Sequence, residues 1–492
     1  VSENVSRELL TTAFGEIKAE QSNPISQISA EYGLFDQTLT VIDSGASGTN
    51  TIVDNKFTCQ TGTDSAGLAS ILSLAQLKYR PGQGALARFT SVFTAGVADS
   101  QQVAGLITAE NVFGFGYIGA AFGVIHAFNG EAETQELTIT TPAAGGEDAT
   151  ITVDGTGFTV PLTAGTVQHN AFEIALSLDS QVVNYNFTSN DDVVVSQALI
   201  SGPMGSFAFS SSTAVAAWVQ ETAGVDPTIN FTPQASWNVD PRINPGLDPE
   251  DILENLDPTK GNVYQIQYQY LGFGAIKFFL EDNDTGEFVL VHMIKFTNTS
   301  TLPSVNNPTF RIGWLCRNLG NTSNLTTAGS SAGIFIEGLA RRDTPARSDF
   351  NDQLSVGTTL TNIASFRNRI SFGGKVNRIP IFPSLVSAST QANKSAFFQL
   401  LANPTYGGDL DFSYIDKNSS VMEVAKDSVS VTGGVVVGTV TVVNGSSLLL
   451  RLNSGASQST VLNPGNTLCI ASQVSSGAAG DMQASLTWQE DI

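Results

Sequence analysis

The sequence predicts a mainly β protein of several domains: β-sandwich or jelly-roll-like units carrying a small inserted α+β module. Three observations predict it. Only 14% of residues are charged, against about 25% in an ordinary soluble domain. Helices need Glu, Lys and Arg on their solvent faces, so a surface of Ser, Thr, Asn, Gln and Gly favours strand and turn. Apolar residues recur with period two, as where Tyr264, Ile266, Tyr268 and Tyr270 alternate with glutamines. Finally, 492 residues exceed what one core serves, and at roughly 150 residues per domain about three are expected.

Taken in order, residues 1–60 read as an N-terminal arm with one short helix, SRELLTTAFGEI, and a polar DSGASGTNT stretch. Residues 61–130 form the first half of a discontinuous β scaffold, which resumes over 226–345. Its clearest piece is Asn262 to Asn298, where EDNDTGE supplies the turn between YQIQYQY and FVLVHMIKF. Between the halves, residues 131–225 change character. ELTITT, ATITV and GFTVPL precede an amphipathic segment, VQHNAFEIALSLDSQV, and three more strands follow. Ala171, Ile174, Ala175 and Leu178 give that segment the i, i+3, i+4, i+7 stripe of a helix. Residues 346–492 read as a C-terminal β-sandwich or jelly roll. There VVVGTVTVV and SSLLLRL flank Asn444-Gly445, a type I′ dipeptide that predicts a hairpin.

The net charge of −22 excludes nucleic acid as a partner, because phosphate recognition needs clustered Lys and Arg. Cys59, Cys316 and Cys469 lie too far apart for a zinc motif and allow one bridge at most. Val112 to Phe128 carries no Asp, Glu, Lys or Arg, but its four glycines favour a buried strand pair over a membrane span, so no membrane insertion is expected. No signal-peptide pattern opens the sequence at Val1, which leaves a removed leader open.

Motifs of catalysis are present in letters only. GFGYIG, Gly114 to Gly119, satisfies G-x-G-x-x-G, but the aromatic, glycine-interrupted residues after it make a poor helix N-terminus for pyrophosphate. GSSAG places Ser331 where a nucleophile would sit, yet His126, His169 and His292 all precede it, against the chain order of an α/β-hydrolase; a turn is expected. EDNDTGE has Gly286 where a calcium loop needs an oxygen ligand. Asp409 and Asp411, two apart, would share a face of a strand at a spacing suited to an inverting glycosidase pair, but a solvated strand end is the commoner use of such acids. The expectation is no enzyme, no cofactor and no metal site.

One charge anomaly stands out. From Arg341 to Arg378 seven basic residues face three acidic ones in a chain of net −22. Arg341, Arg342, Arg367, Arg369 and Arg378 are the candidate docking residues, arginines at a domain or subunit junction that pair with carboxylates of the same or a neighbouring chain.

At KYRPGQGALARFTSVFTAG, FGYIGAAFGVIHAF, LDPTKGNVYQIQYQYLGFGAIKFF and EFVLVHMIKF the sequence resembles virion structural proteins of tailed phages and large aquatic DNA viruses. The stretch ATITVDGTGFTVPLTAG with its following helix is similar to small adhesion-like domains of phage tail and fibre proteins. The resemblance covers residues 75 to 345. It implies an oligomeric surface spike, fibre or capsid-associated component of a virion, engaged in assembly and host attachment. The partners it implies are further copies of the chain, three as the first expectation, other virion proteins, and a host surface glycan. The alternatives are a glycan-hydrolysing viral spike and a microbial surface adhesin or S-layer-like protein. Recognition is expected in the 131–225 module, which should project from its host.

Overall fold

The computed structural model describes residues 22–35, 38–44, 47–81, 83–153, 155–182, 185–202, 207–241, 256–337, 345–391, 393–452 and 460–491. The strands form antiparallel ladders packed as β-sandwiches, with one α-helix among the described residues. Two compact units divide the chain: Val1–Phe128 with Ile229–Arg341, and Asn129–Thr228 with Arg342–Ile492.

The first unit is a two-sheet sandwich. Its nine-stranded sheet places Asn262–Tyr268 beside Ala85–Phe93, with Ser331–Glu337 on the far side of that strand and Ser22–Ser29 beyond. The eight-stranded sheet runs through Val112–Ile118, Ser100–Ile107 and Thr309–Asn318. Period two does the sorting: Tyr264, Ile266 and Tyr268 point inward and are buried, and Tyr264 packs 4.7 Å from Phe115 of the opposite sheet, measured between ring centroids. Each such fully buried aromatic contributes about 1.5–3 kcal/mol relative to exposure.

Residues 22–60 correct the arm expectation. Ser22–Ser29, Leu39–Ser44, Thr49–Val53 and Lys56–Gln60 are strands within these sheets, and Phe57 and Cys59 lie in the core. The short helix expected at SRELLTTAFGEI lies outside the described residues. Val112–Ile118 and Ala121–Phe128 pair directly, and a side chain at Gly116 would strike the Gln102 carbonyl. The glycines there let backbones approach. GSSAG is not a turn: Thr326–Gly329 ends and Ser331–Glu337 begins with only Ser330 between them.

In the second unit, residues 129–228 hold three strands, the helix Val167–Gln181, then four strands. The fourth of these, Val215–Thr222, is one more than the sequence pattern predicts; its burial is weak, so period two carries little signal. Thr166 caps the helix by accepting from the His169 N–H, and Ala171, Ile174, Ala175 and Leu178 are buried as the stripe requires. The C-terminal sandwich stacks a four-stranded sheet (Arg347–Val356, Gly480–Glu490, Ile381–Thr390, Ser447–Arg451) on a six-stranded one (Ser413–Tyr414, Met422–Ala425, Thr361–Asn368, Thr467–Val474, Ala396–Ala402, Val435–Val442). Trp488, Phe366 and Phe398 are central to its core.

The predicted C-terminal hairpin is corrected. Asn444 and Gly445 do take positive φ, 52° and 72°. The flanking strands nonetheless part: Val435–Val442 pairs with Ala396–Ala402 in one sheet, and Ser447–Arg451 with Ile381–Thr390 in the other. The turn dipeptide specifies local dihedrals, while the inward aliphatics Val442 and Leu450 direct each strand to its own side of one core.

Candidate functional site: a charged seam and an uncovered rim in the second unit

Arg367 and Arg369 sit at the end of Thr361–Asn368 and just beyond it, and both are buried. A guanidinium out of water needs every donor matched. Arg367 Nε donates to Glu423 Oε2 at 2.8 Å, a terminal nitrogen lies 2.6 Å from the same oxygen, and that nitrogen also donates to the Ser189 carbonyl. Its plane lies 3.9 Å over the Phe412 ring. The other oxygen of Glu423 accepts from Asn190 Nδ2 at 2.9 Å. Ser189 and Asn190 end the strand Tyr185–Asn190 of the 129–228 segment, so this ion pair clasps that segment to the C-terminal sandwich.

Arg369 is satisfied differently. It donates to the Lys417 and Ser420 carbonyls at 3.0 and 3.2 Å and lies 4.2 Å over the Tyr414 ring. Its charge also offsets, with that of Lys417, the burial and the Glu221 repulsion that raise the Glu136 carboxyl. Arg378 lies part-buried between Lys375–Val376 and Ile381–Thr390. Arg341 and Arg342 lie outside the described residues. The strip thus places Arg367 against a carboxylate of its own chain and Arg369 against carbonyls and rings.

The seam extends through carboxylates. Asp409 contacts His169 Nδ1 on the helix, and His169 Nε2 lies 3.1 Å from Glu173. Asp411 is raised to about 6, by burial first and then by Asp191 and Asp427. Asp191 is raised as well, by burial and by Asp192. The contact between the two carboxyls raises Asp411 and lowers Asp191. Asp409 and Asp411 lie in an extended loop rather than on a strand, and their carboxylates engage different partners. The 129–228 segment is tied in this way to the C-terminal sandwich: Arg367, Glu423 and Phe412 are completed by Ser189, Asn190 and the Asp191 N–H.

Other reactive-looking groups are spoken for. His292 Nδ1 accepts from the Asn238 N–H at 3.2 Å, and buried His126 bonds the Ser304 carbonyl through Nε2 at 2.7 Å. Asp282 accepts from the N–H groups of Asp284 and Thr285, which closes the EDNDTGE turn. All three cysteines are free and buried, and burial pushes Cys316 up to about 12 and Cys469 to about 11, far from thiolate chemistry at neutral pH. Among the described residues no group of three or more His, Cys, Asp or Glu could hold a metal ion, and no helix is long and apolar enough to cross a membrane.

The opposite side of the C-terminal sandwich is different. Val435–Val442 and Ser447–Arg451 are each the last strand of their sheet. Val435, Val436, Val437, Val443, Leu448 and Leu449 are all exposed there. From residue 428 to 480 the sequence has no acidic residue and a single charge, Arg451, in a chain of net −22. Natural edge strands are protected by Lys, Pro or inward charges; Val435–Val442 has none of these. Sequence reasoning missed this rim because it assigned the two strands to one hairpin, which would have paired their edges with each other.

The sequence matches no family model and no curated protein. Among solved structures the chain is similar to one described as "Crystal structure of Emp46p carbohydrate recognition domain (CRD), metal-free form", at 10% identity over 63% of this chain and 97% of that one, with a TM-score of 0.23. A likeness at that level carries no inference about ligand or activity.

Proposed function

We propose that the chain is a virion structural protein, an oligomeric surface spike, fibre or capsid-associated component that serves assembly and host attachment. The observation that carries this reading is the rim: two neighbouring sheet edges with exposed aliphatics and almost no charge, in an otherwise acidic chain. A second copy meets least electrostatic repulsion at this rim, and edge-to-edge pairing there satisfies open backbone groups while covering valines and leucines. The resemblance over residues 75 to 345 supports a particle setting, with other virion proteins as neighbours and three copies as the working number.

The test is light scattering on the purified full chain, with Val437→Lys/Leu449→Lys beside it, and co-purification with virus particles. A monodisperse oligomer reduced to monomer by the two lysines is expected; a wild-type monomer at micromolar concentration overturns the reading. A second reading, a glycan-hydrolysing spike, is favoured by one observation, the carboxyl of Asp411 held near 6 beside Asp191, a value suited to a general acid. Turnover of host polysaccharide that disappears in Asp411→Asn would establish it.

A further inference from the structure

We infer that the first unit carries a saccharide subsite that takes a carboxylated sugar through Arg88. The inference deepens the attachment part of the proposed function, on which its biological meaning rests, and places recognition outside the 131–225 segment. An open trough of about 350 Å³ lies on the sheet face formed by Ser22–Ser29, Ser331–Glu337, Ala85–Phe93 and Asn262–Tyr268. Register builds it. Gln27 stands opposite Gly333, Gly333 opposite Arg88, and Arg88 opposite Gln265, so one row across four strands reads amide, gap, guanidinium, amide. The gap is real: a Cβ at Gly333 would sit 3.0 Å from the Phe335 ring, so any side chain there would fill the trough.

The chemistry of the lining is selective. Arg88 is exposed yet held: Nε donates to Gln265 Oε1 at 2.7 Å, and the guanidinium lies 5.1 Å from the centre of the Phe288 ring. Its terminal nitrogens have no carboxylate partner among the described residues, and none of the lining residues is acidic. An unpaired, pre-oriented guanidinium matches a carboxylate bidentately. Beside it the Ser331 hydroxyl and the Gln27 amide have no protein partner among the described residues, and Phe335 offers part of a ring. A trough this open lacks the enclosure that a drug-like ligand needs. It suits a rigid, hydroxylated ligand with one negative charge, in which hydroxyls meet the amide and serine while the carboxylate meets Arg88.

The test is calorimetry or saturation-transfer NMR on the full chain with sialyllactose, lactose and acetate as probes. Sialyllactose is expected to bind, lactose and acetate at least tenfold more weakly, and Arg88→Gln to lower sialyllactose affinity at least tenfold with an unchanged melting curve. Gly333→Val should do the same by filling the trough; if that variant fails to fold, Arg88→Gln decides alone. Arg88→Lys keeps the charge but loses the fork, and should lose most of the binding. No sialyllactose binding, equal binding of lactose or of acetate, preference for a glutamate-rich peptide, or indifference to Arg88→Gln would each overturn the inference. None of these outcomes bears on oligomer formation, so the assembly reading stands or falls separately.

Discussion

The seam and the rim of the second unit are two boundaries of the same C-terminal sandwich, and they are built from opposite materials. At the seam, Arg367, Glu423 and Asn190 are buried and matched donor to acceptor. At the rim, Val436 and Leu449 are more than half exposed, and among the described residues each edge strand is paired on one side only. Buried polar groups matched in this way specify one arrangement and penalise every other, because a misplaced partner leaves a charge in low dielectric. An uncharged apolar edge specifies little by itself but gains from almost any cover. The difference teaches that Arg367, Glu423 and Asn190 serve the internal assembly of this unit, while its exposed edge is the surface with fewest charges.

The largest effect should come from breaking the seam on one side. Glu423→Ala leaves the Arg367 guanidinium buried without its carboxylate, which is expected to destabilise the second unit by roughly 3–5 kcal/mol. The paired change Arg367→Met/Glu423→Leu removes both charges and should recover most of that loss. Thermal melts followed by fluorescence and by hydrogen exchange of the Trp488 region give the comparison. Equal destabilisation by the single and double variants would mean that packing over Phe412, not the ion pair, holds the seam.

A smaller effect on folding, and a larger one on association, separates the rim. Val437→Lys and Leu449→Lys replace exposed side chains, so the melting of the second unit should move by no more than about 0.5 kcal/mol, while sedimentation should show the oligomer lost. Should the lysines unfold the unit instead, the rim is part of the core and the contrast with the seam fails.

Much of the fold was legible because its signals are local. The stripe Ala171, Ile174, Ala175, Leu178 places the helix, and alternation places Tyr264, Ile266 and Tyr268 inward. Long-range choices were not legible. Asn444-Gly445 specifies a turn but cannot say that Val435–Val442 and Ser447–Arg451 join different sheets, since that depends on competition from Ala396–Ala402 and Ile381–Thr390. The basic strip could be seen as an anomaly of charge, yet the partners of Arg367 come from Ser189 and Glu423, far away along the chain. Arg88 and Gly333 gave no signal at all, because their meeting is a matter of strand register.

The smallest expected effect is a pH dependence of the seam. The Asp411 carboxyl is held up to about 6 by burial, then by Asp191 and Asp427, whereas in the unfolded chain it titrates near 3.9. The folded state therefore binds more protons across this window, and the seam is expected to be tightest below about pH 4 and to weaken as pH rises toward 6. Asp191 is raised too and pulls in the same direction. Both residues are exposed enough for water to screen much of the repulsion, so the change should stay below about 1 kcal/mol. Asp411→Asn makes the protonated form permanent: it keeps a donor for Asp191 and removes one negative charge, so the variant at pH 7 should match wild type at pH 4.5. The Asp191 N–H, which donates to the Phe412 carbonyl across the seam at 3.0 Å, is the reporter. After correction for intrinsic exchange, its protection should fall between pH 4.5 and 7 in wild type and stay level in Asp411→Asn. A carboxyl signal of Asp411 that titrates near 4, or parallel curves for the two proteins, would show that titration of Asp411 plays no part in holding the seam.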